Sequence, residues 1–157
     1  MSEMAYAVIR VRGQADVNCD TRHTMELLGL NKVNHCVIVP ETDSAKGMMK
    51  VIKDYCTWGE VDAETLAEMI RQRGRIAGGE ALSEEFLRDN TEFADADEMA
   101  KAIIENDYRM RDVEGAKPVF RLHPPIKGYE GIKRPYVSGG ALGYRGADIN
   151  ILIKRML

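Results

Sequence analysis

The sequence predicts an α+β fold with helices on one face of a sheet, and three observations predict it. The first residues alternate. In "AYAVIRVRG", Ala7, Ile9 and Val11 point one way while Tyr6, Val8, Arg10 and Arg12 point the other, the period-two signature of a strand, ended by Gly13. Strand-like and helix-like stretches then take turns over the first 60 residues with short joints, giving a β-α-β-α-β unit. Residues that cap helices, Asp, Thr and Ser, stand ahead of the helical stretches.

After the first strand, "CDTRHTMELLGL" reads as a helix with Asp20 as its N-cap and Gly29 as its stop. "KVNHCVIVPE" is a second strand closed by Pro40. "TDSAKGMMKVIKDY" is a helix capped by Thr42. Lys46, Lys50 and Lys53 recur on one of its faces, and Ala45, Met48, Met49 and Ile52 cover the other. "YCTWG" is the third strand. "DAETLAEMIRQRG" is a helix from Asp62 to Gly74, with Leu66, Met69 and Ile70 as its inner stripe. "SEEFLRDN" and "DADEMAKAIIEND" are two further helices, capped by Ser83 and Asp95. "KPVFRLH" is a short late strand. An irregular loop follows, because neither period survives past Leu122. "ADINILIKRML" closes the chain as a helix with Ile149, Leu152, Ile153 and Met156 inward.

At 157 residues the chain has room for one domain with a core. No apolar run approaches the roughly 20 residues that cross a bilayer, and the start lacks a secretion signal, so an intracellular, cytoplasmic protein is expected. Cys19, Cys36 and Cys56 are an odd count with no close pairing, which reads as three small buried side chains rather than a disulfide framework.

The net charge of −3 conceals a strong segregation. Residues 80–114 hold twelve acids against four bases, whereas residues 117–145 hold six bases against one acid, Glu130. That basic stretch also carries four of the five prolines.

Catalytic signatures are absent: there is no G-x-S-x-G elbow, H-E-x-x-H or phosphate-binding lysine loop. His23, His35 and His123 have no companions at metal-ligand spacing beyond Cys19 and Cys36, and no metal or cofactor is implied. Gly128 to Gly131 and Gly140 to Gly143 match G-x-x-G by letter, but loops flank them where a nucleic-acid clamp of that kind needs helices. The cations converge better. Arg10 and Arg12 share a strand face, and Lys46, Lys50 and Lys53 form a stripe. The late loop offers Arg121, His123, Lys127, Lys133, Arg134 and Arg145 interleaved with Tyr129, Tyr136 and Tyr144. Cations neutralise phosphates and tyrosines stack on exposed bases, so these residues are the candidate RNA contacts. The bland counterpart for the lysine stripe is the wet face of an amphipathic helix.

The pieces "RVRG", "LLGLNKVNHCVIVPET", "KGM", Tyr55-x-x-Trp58-Gly59, "FRLHPPIKGYEGIK", "GGALGYR" and "INILIKRM", in this order and spacing, give the chain a resemblance over nearly its whole length. It resembles the universal large-subunit ribosomal protein family numbered thirty, in its longer archaeal and eukaryotic form. The resemblance implies a ferredoxin-like β-α-β-α-β core with a three-stranded antiparallel sheet in order 3-1-2. It also implies a structural, non-enzymatic role: binding large-subunit (23S-type) ribosomal RNA close to the 5S RNA, among neighbouring ribosomal proteins.

The expected organisation is a core over 1–60, a helical acidic region packed on it over 61–114, and a basic RNA-binding loop with a C-terminal helix over 115–157. The loop is expected to be disordered until RNA supplies its packing partner. The rival reading is a ferredoxin-like module that binds a small regulatory molecule.

Overall fold

The computed structural model describes residues 5–13, 17–76, 79–80, 82–90, 93–105, 117 and 119–157. Six strands form one mixed sheet: β1 (Ala5–Arg10), β2 (His35–Pro40), β3 (Cys56–Glu60), β4 (Val119–Arg121), β5 (Gly131–Pro135) and β6 (Gly140–Tyr144). Their order is β4-β2-β1-β3-β6-β5. The helices are α1 (Cys19–Leu28), α2 (Asp43–Ile52), α3 (Ala63–Arg73), α4 (Glu84–Asn90), α5 (Ala96–Ile104) and α6 (Ile149–Met156). Among the described residues no helix is long and apolar enough to cross a membrane.

At the centre, β1 pairs antiparallel with both β2 and β3, with Ala7 opposite Ile38 on one side and Gly59 on the other. The sheet does not stop at three strands. β4 adds antiparallel to β2, and β6 adds parallel to β3, with Trp58 beside Tyr144. β5 adds parallel to β6 with an irregular register.

Helices cover both faces of the sheet, not the single face expected. Tyr6, Val8, Val37 and Val39 pack with Met25 of α1 and with Met49 and Ile52 of α2. Ala5, Ala7 and Ile9 pack on the other side with α3, α5 and α6. Every residue of β1 is therefore buried. A strand covered twice reads as a continuous apolar run, and "AYAVI" is one.

Most helix starts match local chemistry. The N–H groups of Ala45, Thr65, Phe86 and Glu98 donate to the side chains of Thr42, Asp62, Ser83 and Asp95. At α1 the cap is Asn18, not Asp20: Asn18 Oδ1 accepts from the Asp20 N–H, and Asp20 lies in the first turn, where a carboxylate favours the positive helix end. The last residues expected in the helix after Asp95, 106 and 107, lie outside the described residues. Cys36 and Cys56 are buried, but Cys19 is exposed because it opens α1 on its solvent side.

The late basic stretch, read as an irregular loop, contains β5, β6 and a short 3-10 turn between them. Two close approaches explain why glycine stands where strand-forming side chains do not. A Cβ on Gly140 would sit 2.0 Å from the Arg134 carbonyl oxygen, and one on Gly59 would sit 2.0 Å from that of Gly146. These positions trade strand propensity for backbone contact, so periodicity cannot reveal them. The arm also has a small core of its own, Val11, Ala141 and Leu142 beside Tyr129.

Candidate nucleic-acid interface

The two arginines that open and close the predicted set lie inside the protein. Arg10 ends β1 and is only 2% exposed. Its Nη1 donates to the Leu30 carbonyl at 2.7 Å and its Nε to that of Arg12 at 2.9 Å. Burial pulls its pKa below the ordinary arginine value. Arg145 follows β6 and is also buried. Its Nε donates to Thr57 Oγ1 at 2.9 Å, its Nη2 to the Ala141 carbonyl at 2.8 Å, and Glu130 lies 3.6 Å away. The guanidinium stacks over the Tyr136 ring at 4.8 Å. Both guanidiniums hold turns and strands together, Arg10 through backbone carbonyls and Arg145 through the Thr57 hydroxyl, the Ala141 carbonyl and Glu130.

Glu130, the lone acid of the basic stretch, now has an explanation. It lies between Arg145 and Arg155, 3.7 Å from the latter, and joins β6 to α6. Arg155 in turn donates to the Ile126 carbonyl at 3.0 Å and to that of Gly128. Asn150, buried on α6, accepts from the Asp62 N–H at 3.0 Å and donates to the Glu60 carbonyl at 3.1 Å. The arm is thus fastened to both the sheet and the last helix.

The other candidates keep a solvent face. Arg12 is half-buried, its guanidinium 5.0 Å from the Tyr55 ring. Lys46 and Lys50 are exposed on α2, and Lys53 is exposed just past its end, while Ala45, Met49 and Ile52 face inward. Lys46 lies 3.6 Å from Glu41. Arg121 is exposed at the end of β4, and Lys127 is exposed in the turn that follows. Lys133 and Arg134 lie on β5, exposed along its whole length at the sheet edge. His123 is half-buried, its ring nitrogens 2.6 Å from the Pro124 carbonyl and 2.5 Å from that of Leu157. Tyr136 donates its hydroxyl to Asp148, which raises its pKa.

These cations do not gather into one patch. β4 and β5 are the two edges of the sheet, so Arg121 and the Lys133–Arg134 pair are separated by five strand spacings, about 24 Å. Strand order brings the α2 lysines near the end of β6 instead. Lys46, Lys50 and Met49 line a groove of about 260 Å³ with Tyr6 of β1, Trp58 of β3 and Tyr144 of β6. Tyr6, Trp58 and Met49 were not among the predicted contacts. In the sequence Trp58 shows only in the Tyr55-x-x-Trp58-Gly59 motif, Tyr6 only as a strand residue beside Arg10 and Arg12, and Met49 only as part of the apolar face of a helix.

A sequence profile of the family described as ribosomal protein L30p/L7e matches residues 6–56. The chain is 49% identical over 156 residues to the large ribosomal subunit protein uL30 of Methanococcus vannielii, covering 98% of this chain and 100% of that protein. It is 48% identical over 151 residues to the protein of the same name from Methanoculleus marisnigri, covering 96% and 99%. The corresponding protein of Methanocorpusculum labreanum is 46% identical over 151 residues, covering 96% and 99%.

Proposed function

The chain belongs to the ribosomal protein L30p/L7e family, and on that premise we propose that it is a structural protein of the large ribosomal subunit that binds ribosomal RNA. The observation that carries the reading is the end-to-end match to proteins named for that subunit, which takes in both the α2 lysines and the basic arm. We read β1-α1-β2-α2-β3 as the family's ferredoxin-like unit. Family membership leaves the small-molecule regulator without a supporting observation, and the role is structural rather than catalytic.

Arg12, Lys46, Lys50 and Lys53 contact phosphates from the core. Arg121, His123, Lys127, Lys133, Arg134 and Tyr136 do so from the arm, with Arg10 and Arg145 as internal braces. Because the cations are spread over both sheet edges and one helix, the partner is a folded RNA read by shape. The family resemblance makes that partner a 23S-type RNA near the 5S RNA, beside other ribosomal proteins on the cytoplasmic ribosome.

The test is filter binding of the purified chain to large-subunit ribosomal RNA across a salt series. Affinity should fall steeply with salt, by a log–log slope of about 0.7–0.9 per phosphate neutralised. An affinity for this RNA no greater than for an unrelated duplex, or one indifferent to salt, overturns the assignment.

A further inference from the structure

We propose that the groove between α2 and strands β1, β3 and β6 is a stacking slot for one unpaired RNA base, with Lys46 and Lys50 taking the flanking phosphates. The inference rests on the RNA-binding reading and gives it a residue-level address.

Pairing of β3 with β6 sets Trp58 beside Tyr144, on the sheet side that α2 covers. Tyr144 is half exposed and meets Tyr6 edge-on, ring centroids 6.5 Å apart and planes at 86°. Both tyrosine rings are held by their hydroxyls: Tyr6 donates to Glu41 at 3.1 Å, and Tyr144 donates to Glu60. The rings are therefore fixed before any ligand arrives, which lowers the ordering cost of binding. Met49 adds a soft apolar wall.

Size and charge select the occupant. At about 260 Å³ the groove falls below the roughly 300–1,000 Å³ of pockets for drug-sized ligands, and it suits one planar ring system. Its two carboxylate neighbours are engaged by the tyrosine hydroxyls, and Glu41 also lies near Lys46. Lys46 and Lys50 stand at the rim one turn apart, about 6 Å along the helix axis, and Glu41 balances Lys46 until a phosphate competes for it. An aromatic floor beside a cationic rim matches an unstacked base and its phosphates.

Trp58 is the only tryptophan, so its emission reports on the slot directly. The intact chain is titrated with a short single-stranded oligoadenylate, with a blunt RNA duplex, with an arginine-rich peptide and with large-subunit ribosomal RNA. Oligoadenylate and ribosomal RNA should both quench Trp58, the duplex should not, and Tyr144→Leu should weaken oligoadenylate binding roughly 5- to 150-fold, the span set by one stacked base. Trp58→Ala, followed through labelled RNA, should do the same. Ribosomal RNA bound with unchanged Trp58 emission overturns the slot and leaves the RNA-binding role standing. Quenching by the duplex as strong as by the single strand overturns it too, as does quenching by the peptide alone. Failure of the chain to bind ribosomal RNA at all sinks the role itself, and the slot with it.

Discussion

The lysines of α2 and the basic residues of the arm look alike as letters, yet they are built differently. On α2 Ala45, Met49 and Ile52 face inward while the ammonium groups of Lys46 and Lys50 face water. In the arm, Arg145 sits inside a cage of Thr57, Ala141, Glu130 and Tyr136, while Lys133 and Arg134 line an open edge. One cationic region is a surface laid over a core. The other is a structure that uses part of its charge to exist. A basic count therefore overstates what a segment can offer a polyanion, and the acid left in such a segment, here Glu130, marks where charge is spent internally.

The joint between the two regions gives the largest expected effect. Gly59→Ala places a methyl 2.0 Å from the Gly146 carbonyl, a backbone atom that cannot swing away. The arm has to shift off β3, at a cost of about 3 kcal/mol or more. Thermal unfolding should show a large loss of Tm, and limited proteolysis should cut the arm before the core. An unchanged Tm would mean that the arm is not seated on β3 as described.

Arg145→Met should come next. It leaves Thr57 Oγ1, the Ala141 carbonyl and Glu130 without their shared cation, at a cost of roughly 3 kcal/mol, or about 6–12 °C in Tm for a chain of this size. Lys50→Met, on the exposed helix face, should change stability by less than about 0.5 kcal/mol. The same pair inverts in an RNA assay. Replacing Lys46, Lys50 and Lys53 together by Ala should lower the salt slope by about 2–3, at one contact each, with Tm unchanged. Replacing Lys133 and Arg134 should lower it by about 1.5. If the α2 triple variant keeps the full slope, the helix is a solvated face and the arm carries the binding alone.

What could be read from the sequence follows the range of the interactions. The caps Thr42, Asp62, Ser83 and Asp95 each act on an N–H three residues ahead, so local pattern suffices. The apolar stripe of α6 was equally plain, since Ile149, Leu152, Ile153 and Met156 all turn inward at helical spacing. The internal bonds of Arg10 and Arg145 are not legible locally because their partners are remote: the Leu30 carbonyl for one, and for the other Thr57, 88 residues away. Strands β5 and β6 do not show in the sequence because glycine and proline remove the alternation that announces a strand, while pairing of β6 to Thr57 and Trp58, and of β5 to β6, supplies what propensity lacks. The slot itself is not legible in the sequence, because Tyr6, Trp58 and Tyr144 come from three strands that only sheet order makes neighbours.

The smallest effect separates the two regions by pH. Burial, together with the hydrogen bond to Glu41, raises the Tyr6 pKa from the ordinary 10 to about 12. Tyr144 is also raised to about 12, but chiefly by its bond to Glu60, and its ring is half exposed. In both, the folded protein favours the neutral phenol, so the stabilisation is complete below about pH 10 and is lost as pH climbs towards 12. Water screens the exposed site more than the buried one, so of these two tyrosines Tyr6 should contribute more to an alkaline loss that the buried Cys36 and Cys56 thiols and Tyr129, all pushed up by burial, share. Comparing Tm at about pH 9 and about pH 11 should therefore show a fall that Tyr6→Phe makes shallower and Tyr144→Phe barely alters. Equal flattening by the two variants would show that the arm's tyrosine is held as firmly as the core's, and that the slot closes around its ring more tightly than its exposure implies.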